Sequence, residues 1–320
     1  MQNLVVVFHT IPSKSWLKKT LKVINSLYDF IPIEYIDSHF YSGKKFNNCC
    51  HISFDDGDIS FYKYAFPVLR EMKIPASLFV SPKIIIYKSN YWFQDVHYII
   101  EKMGAGYLKK RVCEVMNFNY DLIKIYSIYS LLNTLKHRDV IKIIEVVKSL
   151  NNINTIQRYN IEKDQLIEIN NTQSITIGAH TINHPILSNE TYENIRDEIG
   201  CSINQLASML NKDIRYFAYP NGLSGIDYGF REKSILKENN IKLAFSTSVG
   251  RIHNKTDPLD IPRVPAKGIN GESNIKFIMR LLLLSKWSTL RNIIKFGMNR
   301  TETIERKELI EFLSNYYCSK

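Results

Sequence analysis

The sequence contains no apolar run as long as the ~18 residues that a membrane-spanning helix needs, so no such helix is expected. Cysteine is scarce and odd in number: Cys49, Cys50, Cys113, Cys201 and Cys318 fit neither a disulfide framework nor a CxxC metal site. A reducing compartment is the simpler expectation. The start, Met-Gln-Asn-Leu-Val-Val-Val-Phe-His-Thr, lacks the basic opening and long apolar core of a leader and reads as a buried strand. The expected location is therefore cytoplasmic, or peripheral at the inner face of the membrane. Glycine and proline nearly vanish between residues 89 and 168, apart from Gly104 and Gly106, and acidic residues vanish between 276 and 300. No helix-turn-helix, zinc-finger or RNP-like pattern occurs, so no nucleic-acid partner is expected.

The 320 residues suffice for one large domain or one domain with an insertion. Hydrophobic residues make up 45% and charged residues 23%, which is ordinary for a globular chain. The net charge of +11 suits an anionic partner, although Lys-, Asn- and Ile-rich composition alone also produces it.

Short β-branched runs predict strands at Leu4–Phe8, Cys50–Phe54, Ala76–Val80, Ser174–Gly178, Tyr216–Tyr219 and Leu243–Ser246, with a last extended segment at Leu259–Val264. Helical periodicity marks Phe61–Met72, shortened or kinked by Pro67. It also marks Val140–Leu150, Tyr192–Leu210 with Ser188 as N-cap, and Tyr228–Glu238. Alternating strands and helices argue for a parallel α/β architecture with its chemistry on loops at the strand C-termini. The expected units are a barrel's first part at 1–88, a helical insertion at 89–168, the barrel's second part at 169–270 and basic amphipathic helices at 271–320.

Two motifs carry chemistry. Asp55 and Asp56 stand side by side in Ser-Phe-Asp-Asp-Gly at the end of a predicted strand. His180 and His184 follow another strand at the i, i+4 spacing, which directs two imidazoles the same way on one helical turn. One Asp with two His can hold a divalent ion, and the other Asp can take a proton from water held there. Thr181 either orients a ligand through its hydroxyl or backbone N–H, or bonds locally within its turn. A backbone N–H near Asn221 suits a developing oxyanion.

Together these segments resemble the polysaccharide deacetylase superfamily with the NodB homology domain, carbohydrate esterase family 4. Phe54-Asp55-Asp56-Gly57 matches its first motif and His180-Thr181-Ile182-Asn183-His184 its second. Phe217-Ala218-Tyr219-Pro220-Asn221-Gly222 matches the third in an FAYPxG variant form. Asp257-Pro258-Leu259-Asp260-Ile261-Pro262-Arg263 resembles a later segment of that branch, and Phe8-His9 the Tyr-His of many first strands. The resemblance covers about residues 4–266 and implies a distorted (β/α)7-type barrel, here with the helical insertion and a C-terminal helical extension. It implies that Asp55 is the general base, that Asp56, His180 and His184 bind the metal, and that an N-acetylated sugar loses its acetyl group. Zinc is the expected ion, with Co, Ni or Mn also suited to these ligands. The substrate is expected to be nucleotide-linked, lipid-linked or polymeric, in surface polysaccharide or glycolipid biosynthesis. O-acetyl ester hydrolysis, deformylation and a non-catalytic glycan- or membrane-binding role remain as alternatives.

The sequence departs from the family in two places. The third motif's usual Arg, which pairs with the base, is Ala218 here, and Arg263 is the candidate substitute, with a surface ion pair as the alternative. The usual context of the general-acid His is absent. His253 is the candidate in its place and His9 a second pocket residue. Thr181, Tyr219, Pro220 and Asn221 complete the candidate substrate contacts. Tyr91-Trp92-Phe93 either stacks on sugar rings or packs the insertion onto the barrel. The basic segment 276–300, with Trp287, suits either an anionic membrane interface or a helix covering the barrel.

Overall fold

The computed structural model describes residues 3–154, 156–266, 281 and 302–318. The basic segment 276–300, read as either a membrane-docking or a barrel-covering helix, lies outside them, Leu281 excepted. No helix among the described residues is long and apolar enough to cross a membrane.

Parallel strands build one curled sheet. β1 (Leu4–Phe8), β3 (Cys49–Phe54), β4 (Ala76–Val80), β5 (Ile175–Ala179), β6 (Tyr216–Ala218), β7 (Leu243–Phe245) and β8 (Val264–Pro265) run in the order β7-β6-β5-β4-β3-β1-β8. The two-residue β2 (Asp29–Phe30) pairs with the start of β3. Every one of these ladders is parallel. This is the distorted (β/α)7 barrel expected from the sequence, in half-open form. In a parallel sheet all strand C-termini share one edge, and the loops leaving that edge form a common pocket.

Strand alternation assigns the faces. Leu4, Val6, Phe8, Cys50, Ile52, Phe54, Leu78 and Val80 pack outward into a core shared with α1 (Lys14–Asn25), α3 (Phe66–Met72) and α11 (Tyr192–Leu210). Their neighbours Val5, His51, Ser53, Ser77 and Phe79 take the opposite face, where buried His51 bonds to the Ser77 hydroxyl at 2.8 Å. Continuing that period past β3 puts Asp55 on the same inner side as His51 and Ser53. In β5, Gly178 is required by close approach: a Cβ there would meet the Phe79 ring at 2.4 Å and the Tyr216 carbonyl at 2.8 Å.

Several boundaries differ from the sequence reading for local reasons. Phe61–Ala65 forms a π-helical turn, after which α3 starts with Pro67 in its first turn, where a missing N–H costs nothing. α11 is capped by Thr191, whose hydroxyl accepts from Asn194 N–H at 3.3 Å. The expected cap Ser188 instead donates to Ile226 O at 2.6 Å.

The segment between β4 and β5 is helical, as expected. α5 (Trp92–Met103), α6 (Ala105–Met116), α8 (Ile128–Leu132) and α9 (His137–Leu150) enclose a core of their own around Val96, Ile99, Val112, Leu131, Ile143 and Val147. Leu166 and Ile169 of α10 (Lys163–Asn170) belong to the barrel core, so the insertion closes before residue 168. The C-terminal helix α13 (Glu302–Cys318) is not a separate appendage, because its Leu309 and Leu313 complete the insertion's core.

Candidate metal centre and active-site pocket

Asp56, His180 and His184 converge at the C-terminal edge of the sheet, all three buried, with their ligand atoms within 4.8 Å of one another. The His180 and His184 Nε2 atoms lie 3.4 Å and 3.6 Å from Asp56 Oδ1. Among the described residues that buried oxygen has no hydrogen-bond partner. The spacings are long for hydrogen bonds. They are close to the roughly 3.3 Å between two tetrahedral ligands that each sit about 2.0–2.1 Å from zinc. A dry carboxylate oxygen facing two imidazoles fits a divalent cation.

The local chain explains the aim of each side chain. His180 Nδ1 donates to Ala218 O at 2.7 Å, which fixes the ring and leaves Nε2 facing Asp56. Thr181 and His184 have positive φ, 62° and 58°, so the motif is a tight loop rather than the helical turn that its spacing suggested. Pro185 disfavours the α conformation for His184 and helps exclude that turn. Thr181 is fully buried; its hydroxyl bonds to His180 O and accepts from His184 N–H at 3.0 Å. It stays within its own turn and does not line the pocket. Asp56 (φ 71°) and Asn221 (φ 57°) are also left-handed, so four non-glycine residues of the three motifs hold this uncommon geometry.

Asp55 is clamped from within the barrel. Arg263, fully buried, donates from Nη1 to Oδ1 at 2.8 Å and from Nη2 to Oδ2 at 2.7 Å. Its Nε donates to Ser246 O at 2.8 Å, and its guanidinium lies 6.0 Å from the ring centres of both Phe79 and Phe245. The structure thus brings Arg263 to the carboxylate that the absent third-motif Arg would serve, and it is no surface ion pair. Burial would raise the Asp55 pKa, but the charges of Arg263, His180 and His9 outweigh it and hold the group below its ordinary value. Burial acts the same way on Asp56, and the close imidazole of His180 together with the charges of His9 and His184 lowers that group too. Burial and the charge of His180 push His184 down to about 3. Burial also opposes a charge on His180, yet its partnership with Asp56 and the charge of Asp55 leave its pKa raised.

The pocket over these groups has a volume of about 370 Å³. That lies within the span of small-molecule sites. His9, Tyr219 and Asn221 line it, and His9 Nε2 reaches to 3.8 Å of Asp55 Oδ2. Tyr219 is held by a hydrogen bond to Leu259 O at 2.9 Å and by stacking on Tyr228 at 3.5 Å. Pro220 shapes the turn without reaching the cavity wall. His253 is not part of this site. Ile252 bonds to Asn3, at the start of β1, and His253 lines a separate cavity with Asn3 and His39 at the opposite end of the sheet. The expectation that His253 donates a proton here is corrected by that topology.

Sequence reasoning missed the part played by the insertion's first residues. Tyr91 is fully buried and its hydroxyl donates to Asp56 O at 2.8 Å. Trp92 Nε1 donates to His184 O at 2.8 Å, and the Phe93 ring meets the His184 ring edgewise at 5.0 Å. Trp92 and Phe93 also line the pocket. The aromatic run in the sequence was the available signal; its partners are distant in the chain.

Comparison with known proteins points the same way. The polysaccharide deacetylase family model matches residues 127–244, a span that holds His180, His184 and the 217–222 turn but not Asp55 or Asp56. The solved structures that share the fold include a deacetylase, PplD, from Streptococcus pyogenes in complex with acetate. It is 16% identical with a TM-score of 0.56, over 87% of this chain and 97% of that one. IcaB from Ammonifex degensii is 16% identical with a TM-score of 0.57, over 87% and 95%. A de-N-acetylase from Aggregatibacter actinomycetemcomitans is 12% identical with a TM-score of 0.55, over 87% and 100%. No curated protein matches the chain in sequence. The resemblance read from the motifs therefore holds: the chain has the polysaccharide deacetylase fold, and residues 127–244 match that family's model.

Proposed function

We propose that this pocket is the active site of a divalent-metal-dependent hydrolase that removes the acetyl group of an N-acetylated sugar, in surface polysaccharide or glycolipid synthesis. The observation that carries the reading is the pairing of a clamped, ionised Asp55 with an adjacent Asp-His-His ligand set. Asp56, His180 and His184 would hold the ion, which when bound supplies Lewis acidity toward the acetyl carbonyl and toward water. Zinc suits one carboxylate and two imidazoles best, and the FAYPxG-type turn supports a place in that branch of the superfamily.

The chain's own groups supply the rest. Asp55 takes the proton of the attacking water. Each of its oxygens gives one lone pair to Arg263 and retains another for this task. Arg263 stays charged and fixes the carboxylate plane, so the base needs no reorientation during reaction. His9, half exposed beside Asp55, is placed to return a proton to the leaving amine. Asn221 and Tyr219 would contact the substrate, with Trp92 and Phe93 as apolar walls of the same cavity.

The test is acetate release by protein loaded with Zn, Co, Ni or Mn, from matched N-acetyl, O-acetyl and N-formyl sugars in free, nucleotide-linked, lipid-linked and polymeric form. Preferential release from the N-acetyl compounds is expected. Preference for the ester or the formamide would reassign the reaction on the same site. Metal bound with no hydrolysis of any compound would make the protein a binding member of the fold.

A further inference from the structure

The pocket's outer wall comes from two places that the barrel does not supply. Tyr129 and Asn133, on and just after α8, line it together with Glu302 at the start of α13. Asn133 Nδ2 donates to Glu302 Oε1 at 2.9 Å, so that carboxylate is held in place at the cavity rim. One turn on, Glu305 Oε2 accepts from Ser127 N–H at 3.0 Å and from the Ser130 hydroxyl at 2.6 Å. Another turn face brings Arg306, fully buried, onto Asp227 at 2.5 Å and onto Asn133 O at 3.2 Å. Asp227, also buried, accepts from Asn221 Nδ2 at 2.9 Å and from Leu223 N–H at 2.7 Å. An ion pair from α13 to Asp227, continued by the hydrogen bonds of Asp227, thus reaches the Asn221 turn inside the pocket.

We propose that α13 is a working part of the substrate site. Glu302 accepts hydrogen bonds from hydroxyl groups of the bound sugar, and Arg306 positions both that wall and the Asn221 turn through Asp227. The chemistry fits the class of ligand. The inner half of the pocket, with Asp55, Asp56 and the two imidazoles, is occupied with the acyl group. A sugar ring presents several hydroxyl donors beyond it, and a carboxylate acceptor at the rim is the strong partner for them. Arg306 does not touch substrate. A fully buried guanidinium is retained only with a paired carboxylate, and here the same carboxylate organises the turn that bears Asn221. This inference rests on the deacetylase reading for the identity of the ligand.

The test separates the two. Zinc-loaded Asp55→Asn protein is titrated calorimetrically with an N-acetylglucosamine oligomer, which reads binding without turnover. Adding Glu302→Ala is expected to weaken oligomer binding about tenfold, the usual scale for losing a charge-assisted hydrogen bond, with zinc affinity unchanged. Glu302→Gln, which keeps an acceptor, should recover part of the loss. Arg306→Met leaves Asp227 buried and unpaired and can fail to fold, so the positioning role is tested with the neutral pair Asp227→Asn/Arg306→Gln and with Arg306→Lys. In the otherwise unaltered enzyme the neutral pair should raise KM and lower kcat together while zinc binding persists, and Arg306→Lys should restore part of both. Oligomer affinity unchanged in Glu302→Ala, or no oligomer binding at all, overturns the inference even if the enzyme releases acetate. Absence of acetate release from every sugar, with oligomer binding still sensitive to Glu302, overturns the deacetylase reading and leaves this one standing.

Discussion

Trp92 donates its indole N–H to the carbonyl oxygen of His184 across 2.8 Å, joining the first turn of the helical insertion to a metal-ligand candidate. Tyr91 does the same for the backbone of Asp56. The insertion is therefore tied to the candidate site, because two of its side chains bond the backbone from which two ligand candidates project. Outer bonds of this kind typically contribute 10–100-fold to metal affinity. Trp92→Phe keeps the apolar wall and removes the N–H. Its expected effect is a roughly tenfold weaker zinc affinity by chelator competition, with the fold retained by circular dichroism. Zinc affinity equal to that of the parent protein would show that the loop holds its shape without the indole.

Arg263 and Asp55 form a buried ion pair, so removing one partner strands the other. Arg263→Met is expected to destabilise the protein by about 3–5 kcal/mol at neutral pH and to lower kcat by about 10² or more. The sign of its pH dependence follows from Asp55. In the parent protein the folded pKa is depressed, so this carboxylate's contribution is present above its ordinary value of 3.8 and lost as pH falls through the lower folded value. Without Arg263 the burial effect has the upper hand and the folded pKa rises. The variant's stability deficit should then be largest at neutral pH and shrink on acidification. Denaturant titrations of both proteins at several pH values measure it, and a deficit that grows toward acid would contradict the clamp.

How much of this was legible beforehand follows from the range of each interaction. Leu4–Phe8, Ala76–Val80 and Tyr192–Leu210 were readable to the residue, because period and apolar content are local. The Asp pair and the His pair were readable as a candidate base and a candidate ligand set, yet the backbone beneath the imidazoles was not. An i, i+4 spacing is satisfied equally by a helical turn and by a loop with two left-handed residues. Pro185 was the signal favouring the loop. Arg263 was a candidate by motif likeness, but its burial depends on how β8 closes beside β1. The bonds of Trp92 to His184 and of Arg306 to Asp227 join residues with no periodic relation, so nothing in the sequence marks them.

Asp55 and Asp56 are neighbours with separable tasks, and paired variants resolve them. Asp56→Ala removes one of three ligand candidates and should abolish both zinc binding and acetate release. Asp55→Asn keeps the ligand set and removes the proton acceptor. It should bind zinc nearly as the parent does, while kcat falls about 10²–10⁴-fold, the usual range for losing a general base. Equilibrium metal binding and acetate release, measured on the same preparations, decide the matter. Activity persisting in Asp56→Ala would refute the assignment of the metal set, whereas zinc loss in Asp55→Asn would show that the two carboxylates act as one unit.

His180 supplies the last prediction. In the metal-free protein burial disfavours its charge, but contact with Asp56 and the field of Asp55 keep its pKa above the ordinary 6.5. His184, pushed down to about 3, is already neutral near pH 7 and ready to ligate. A metal ion must therefore displace one proton, that of His180, over the range where the group remains charged. Zinc affinity should rise as pH increases through and above 6.5 and level off once His180 is neutral. Calorimetry in buffers of different ionisation enthalpy should detect close to one proton released at the low end of that range and fewer above it. Affinity independent of pH across the imidazole range, with no proton released, would mean that His180 enters the site already neutral.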